Sequence, residues 1–320
     1  MIHHRAWPKL TLRWLATLII LGLVFRFVDV PALIARLTMV PVSLVVLALA
    51  ISVGQVLLSA WRWRYTANRL GVTIPMRFAV KEYYLASFLN QVLPGGVMGD
   101  VNRAWRHSKI QVQDGSECSG RRAAIHAVAL ERLSGQLVLV PVVLLVIAGL
   151  WSGGQFAGSG MPAEVSLSPG YWLLVPLLMA SVFWLLFVSG KLTALARYAG
   201  HLKADLYRAF AGWRIAAVQL ATSLAVLSTY LVVFMIIAVG MGLAPDVASL
   251  ALVAALSLVL LLAMVVPITV SGWGVREGAA ALLWPAAGLP AEQGVAISIG
   301  YGALIFLGSL PGALMLLRKP

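Results

Sequence analysis

Six ionisable residues interrupt long apolar stretches of this chain: Asp100, Arg103, Glu131, Arg132, Arg276 and Glu277. A guanidinium is a rigid fork of donors that matches phosphate or carboxylate. An acid beside it can orient the fork, or release it on protonation. Three acids and three arginines can equally serve as internal ion pairs, since charges in apolar membrane segments usually pair. Arg103 and Arg276 have the sharper reading, as head-group ligands for a lipid phosphate. Each follows glycine-rich sequence, Pro94-Gly95-Gly96-Val97-Met98-Gly99 before Arg103 and Gly272-Trp273-Gly274 before Arg276. Free N–H groups at a helix start favour anions. Asp100, three residues before Arg103, shares its helical face and suits a first turn.

Glu131 and Arg132 are neighbours in sequence but project about 100° apart on a helix. Glu131 is therefore expected to meet an arginine from one of the broken segments, and Arg132 and Glu277 to act as charge partners or gates. Asn90 and Gln91 stand just before the first glycine-rich break, placed to satisfy backbone groups freed there. Trp61, Trp63, Trp172 and Trp213 read as interfacial belt aromatics, and Lys81-Glu82 as an interface anchor. His126 reads as a packed or snorkelling histidine. Gly308 and Gly312 form G-x-x-x-G, which favours close internal packing. There is no P-loop, no H-E-x-x-H and no Cys/His cluster with ligand spacing, so no cofactor, metal or catalytic residue is implied. The single cysteine, Cys118, makes no internal disulfide.

The elements that must position these groups are membrane helices. Of 320 residues, 61% are hydrophobic and 11% charged, with a mean hydropathy of +0.93; a soluble domain carries about 25% charged residues. Apolar windows fall at about 10–28, 41–61, 123–150, 171–189, 214–241 and 294–316. The first follows basic residues like a signal peptide but lacks a cleavage site, so it reads as a retained helix. Two more windows, about 75–93 and 249–266, end in breaks: Pro94 to Gly99, and Pro267 through Gly272 to Gly274. The net charge of +13 gathers at the ends of apolar runs. That pattern sets topology and argues against nucleic acid.

With both termini in the cytoplasm of an inner (plasma) membrane protein, nearly all Lys and Arg fall inside. The cytoplasmic stretches then include Arg62, Arg64, Arg69, Arg77, Arg106 and the basic loop 191–214. This works only if 75–109 and 249–290 each return to the side they entered. The expectation is an all-α polytopic protein of about six full transmembrane helices plus two re-entrant hairpins. The order repeats as helix, helix, hairpin, helix, so the chain reads as one transmembrane domain, 1–320, with inverted halves at 1–150 and 171–320. Eight full transmembrane helices is the alternative.

Three blocks resemble the flippase-like, lysylphosphatidylglycerol synthase transmembrane family. They are Ser87-Phe88-Leu89-Asn90-Gln91-Val92-Leu93-Pro94-Gly95-Gly96 continuing through Gly99-Asp100 to Arg103-Ala104; Glu131-Arg132-Leu133-Ser134-Gly135; and Pro267-Ile268 through Gly272-Trp273-Gly274-Val275-Arg276-Glu277-Gly278. Their order and spacing extend the resemblance over most of the chain. It implies a membrane domain that translocates or handles a lipid with an anionic head group, or a lipid of a hopanoid, polyprenyl-linked sugar or glycolipid pathway. The aminoacyltransferase fused to the best-known members is not expected here, because the sequence stops after its last helix. The reading is a lipid translocase whose partner is a membrane lipid. Two others stay open: a membrane-embedded transferase on a lipid-linked substrate, and a non-catalytic partner of a separate lipid-synthesising enzyme.

Overall fold

The computed structural model describes residues 7–93, 96–113, 118–152, 192–243, 245–265 and 269–317. These residues form helices joined by turns, without strands. The first half contributes α1 (Trp7–Phe27), α2 (Val30–Thr38), α3 (Val42–Arg69), α4 (Met76–Val92), α5 (Met98–Gln113) and α6 (Cys118–Ser152). The second contributes α7 (Leu192–Phe210), α8 (Trp213–Gly240), α9 (Val247–Ala263), α10 (Val275–Ala286), α11 (Ala291–Ser309) and α12 (Pro311–Leu317).

Among the described residues four helices are long and apolar enough to cross a membrane: Val42–Arg69, Gly120–Ser152, Trp213–Gly240 and Ala291–Leu316. They match four of the six full crossings expected. The window at 10–28 is α1, but the chain then turns by 98° into α2, and the bent pair makes a fifth candidate span. The window at 171–189 lies outside the described residues. Helix α2 was not expected, although its start is written plainly in the sequence. Asp29 accepts from the Ala32 N–H at 3.1 Å, and Pro31 sits in the first turn, a capped start followed by a proline already shaped for a helix. The stretch read as the loop 191–214 is largely helical, with α7 running to Phe210.

The two broken windows are helical hairpins. At 1.5 Å per residue, α4 is about 25 Å long, α5 about 24 Å and α10 about 18 Å, all short of a hydrocarbon core of roughly 30 Å. Arg106 pairs with Glu82 and Asn90 with Asp100. Each pair takes one residue from either side of the first break, so α5 runs back along α4. In the second break Ser271 (φ 51°), Gly272 (φ 78°) and Gly274 (φ 88°) are all left-handed. Glycine tolerates that conformation and serine does so at a cost. The chain thereby turns and brings α10 back against α9.

Helices α3 and α8 pack together at the centre. Arg62 reaches Ser223 at 3.0 Å and Gln219 reaches Thr66 at 3.0 Å, which fixes the two as antiparallel. Around them the packing of one half recurs in the other when α3, α4, α5 and α6 are exchanged for α8, α9, α10 and α11. Thus α5 packs on α6 and α10 on α11; α3 packs on α4 and α8 on α9; α9 packs on α6 and α4 on α11. The larger apolar core includes Phe234, stacked on Tyr301 at 3.8 Å, with Leu256, Leu260 and Ile297. A second core holds Trp63, Ala79, Ala127 and Leu130.

Two glycines let helices touch backbone to backbone. A Cβ on Gly99 would run into the Ala86 carbonyl, and one on Gly312 into that of Tyr84. The last membrane helix is interrupted before Pro311, and α12 lies against α4. Gly308 and Gly312 therefore serve internal packing. Gly99→Ala and Gly312→Ala are each expected to cost about 1–3 kcal/mol, as overpacking does, and to lower the melting temperature of the detergent-purified protein. Gly54→Ala, whose Cβ meets nothing within 4 Å, should leave it unchanged or slightly raised.

Candidate functional site

A fully buried carboxylate, Glu131 on α6, organises the first charged cluster. Its Oε1 accepts from Arg62 Nη2 at 2.5 Å and Nε at 3.2 Å, and from the Tyr83 hydroxyl at 3.3 Å. Its Oε2 accepts from Arg103 Nη2 at 3.0 Å. The same Arg103 nitrogen donates to Asp100 Oδ1 at 2.9 Å. Asp100 Oδ2 accepts from Asn90 Nδ2 at 2.9 Å and from Arg132. Asn90 Oδ1 takes the Gly99 N–H at 2.7 Å, so this side chain joins the end of α4 to the start of α5. Helices α3, α4, α5, α6 and α8 all enter the network.

The Arg103 guanidinium is held between two rings, 4.5 Å from the Trp63 centroid and 4.4 Å from that of Tyr83. Both contacts are of cation–π type. It is completely buried, yet its Nε and Nη1 have no hydrogen-bond partner. Three guanidinium groups (Arg62, Arg103, Arg132) face two carboxylates (Asp100, Glu131), which leaves one positive charge over. Beside them Glu82 is buried and paired with the half-exposed Arg106 at 3.0 Å; it is not the interface anchor expected.

The second cluster, at the start of α10, is neutral and closed. Glu277 Oε2 accepts the Gly274 N–H at 2.7 Å, capping the helix. Glu277 Oε1 accepts from Arg276 Nη2 at 2.7 Å and from Ser298 at 2.8 Å. Arg276 Nε donates to Ser298 at 2.7 Å and Nη1 contacts Met264 Sδ at 3.8 Å. Its Cζ lies 5.1 Å from the Trp273 ring and 5.3 Å from Tyr301.

Arg103 and Arg276 are thus in separate clusters rather than in one. The hairpin tips carrying them do meet: Ser271 Oγ donates to Gln91 Oε1 at 2.8 Å, and Ser271 Cα lies 3.8 Å from where a Gly96 Cβ would stand. Thr17 of α1 accepts the Val270 N–H at 3.1 Å and braces the second tip. Pro94, Gly95 and Pro267 lie outside the described residues.

Arg62 is the main member that sequence reasoning misplaced. It was read as a cytoplasmic loop charge, but α3 continues to Arg69 and buries it to 4% exposure. A signal for it exists. Ser52, Gln55, Ser59, Arg62 and Thr66 recur at spacings of three and four, and all five are buried, a polar stripe on an apolar helix. Trp63 is likewise buried on Arg103 and is not a belt aromatic, whereas Trp213 is exposed. His126 packs against Asp205 of α7 at 2.6 Å. Among the described residues no His/Cys/Asp/Glu group can hold a metal ion.

The profile of the lysylphosphatidylglycerol synthase transmembrane region matches residues 11–312. The chain belongs to that family. It is a membrane protein of lipid biology, as family membership and the apolar helices together require. No curated protein and no solved structure matches it. In this family member the three sequence blocks carrying the resemblance fall at the first hairpin tip, at Glu131 and at the second hairpin tip.

Removing one partner of a buried ion pair leaves a buried charge and costs about 3–5 kcal/mol. Arg62→Ala and Glu131→Ala are each expected to destabilise the detergent-solubilised protein on that scale. The double variant should lose clearly less than the sum, because the two share one network. Thermal melts of the four proteins measure the coupling; strict additivity would remove Arg62 from the network.

Proposed function

We infer that this protein moves a lipid with an anionic head group between the leaflets of an inner membrane. The observation that carries the reading is the unbalanced first cluster. A buried site with one positive charge over, and with unpartnered N–H groups on Arg103, is suited to a monoanionic phosphodiester. Charge at membrane depth is a functional signal by default, and guanidinium pairs with phosphate through parallel donors. In this reading Arg103 binds the phosphate. Asp100, Glu131 and Arg132 hold and release it. Arg276 and Glu277 keep the second hairpin in shape, since most of the Arg276 donors are already engaged.

The recurring pairings and the antiparallel α3 and α8 support one domain of inverted halves. Corresponding broken segments in such halves are a common transporter layout. Non-helical backbone at membrane depth is tolerated where it lines protein or a watery cavity. The lipid head group passes between the hairpin tips, which part as one half moves against the other. The Lys and Arg bias favours cytoplasmic termini.

Purified protein in liposomes carrying fluorescent phosphatidylglycerol or phosphatidylcholine, with outer-leaflet label quenched by dithionite, tests this. The protected fraction of the anionic lipid should fall well below that of protein-free vesicles. Arg103→Ala should slow the exchange at least tenfold, while Arg64→Ala leaves it near wild type. Exchange at the wild-type rate in Arg103→Ala would overturn the assignment. Conversion of a lipid-linked substrate by protein in detergent would favour the transferase reading instead.

A further inference from the structure

Arg132 is the one member of the first cluster with a half-open side chain, 44% exposed although paired with Asp100. It lies ten residues beyond Arg122 on α6, about 15 Å along the helix, inside the candidate span Gly120–Ser152. Exposed apolar side chains follow on both helices, Leu133 and Leu137 on α6 and Val101 and Trp105 on α5, with the half-buried Gln136 one turn on from Arg132. The Asp100–Arg132 pair stands where these two helices meet. A guanidinium left half open within a candidate membrane span is a functional signal by default. A charge exposed to hydrocarbon is costly, and Asp100 is already shared with Arg103 and Asn90.

We propose that Arg132 marks a lateral lipid-binding site between α5 and α6, open to the bilayer, that takes the phosphodiester of a membrane phospholipid. The acyl chains lie along Val101, Leu133 and Leu137, and the phosphate answers the positive charge the cluster has over. Charge complementarity selects this occupant: a second copy of the chain presenting an apolar face would leave Arg132 unanswered. The proposal rests on the lipid-handling reading above and adds where the lipid docks before it reaches the buried Arg103.

The test is photo-cross-linking of the full chain in vesicles of phosphatidylglycerol containing a minor fraction of diacylglycerol. Val101→p-benzoylphenylalanine reports on the site; Leu145→p-benzoylphenylalanine, on an exposed apolar part of α6, reports on bulk lipid. Mass spectrometry identifies the adducts. The ratio of phosphatidylglycerol to diacylglycerol adducts at Val101 is expected to exceed that at Leu145 about fivefold. It should fall to the Leu145 value in Arg132→Gln, stay raised in Arg132→Lys and be unaffected by Arg121→Gln. The comparison of the two positions within the wild-type background stands even where Arg132→Gln fails to fold.

Equal ratios at Val101 and Leu145 would overturn the site as plain lipid-facing surface. Protein–protein adducts at Val101 would assign the face to a second copy. Loss of the enrichment on adding soluble glycerol phosphate would assign it to a free phosphate. Enrichment in a protein that moves no lipid in vesicles would keep the site and remove the translocation reading. Transport without enrichment would do the reverse.

Discussion

Arg62 from α3 and Arg103 from α5 both donate to one buried carboxylate, Glu131 of α6. Taking a charge out of water costs several kcal/mol even after relaxation, so three helices are obliged to meet where these groups satisfy one another. The rest of the first half follows from that obligation. Arg62 extends the network to Ser223 and so to α8 of the second half. Arg103 brings in Asp100, and Asp100 brings in Asn90, which sets the start of α5 against the end of α4. Gly99 permits this approach because its N–H bonds to Asn90 and a Cβ would strike Ala86. Without Glu131 the buried Arg103 would keep only Asp100, itself shared with Arg132 and Asn90.

The two hairpins share a plan but not a charge. In the second, adjacent residues Arg276 and Glu277 neutralise each other, and Ser298 completes the set. Around the first, Glu131 and Arg132 of α6 are also adjacent, yet they go to different partners, Arg62 and Arg103 for one and Asp100 for the other. One cluster is closed and neutral; the other keeps a positive charge over and carries unpartnered donors. Between them the tips touch through Ser271 and Gln91, with Ser271 in a backbone conformation that serine adopts only under constraint.

Much of this was legible in the residues. Apolar windows located α3, α6, α8 and the last span, Ala291–Leu316, because each exceeds a span length. The broken windows were legible because glycine and proline interrupt them at corresponding places. Helix geometry pointed to the separation of Glu131 from Arg132, although the same adjacency pairs Arg276 with Glu277. What escaped lay across helices. Arg62 read as a loop charge because its partner is 69 residues away. Glu82 read as an anchor because Arg106 returns to it only once the hairpin is made. The bend into α2 hides behind continuous apolarity, although Asp29 and Pro31 mark it.

Tying the hairpin tips together is the most direct test of whether lipid passes between them. Gly96→Cys with Ser271→Cys, in a Cys118→Ser background, places two thiols where a Cβ on residue 96 lies 3.8 Å from the Cα of residue 271. Oxidised protein in liposomes should stop exchanging anionic lipid, and dithiothreitol should restore the rate. Exchange that continues undiminished with the tips covalently joined would contradict the account.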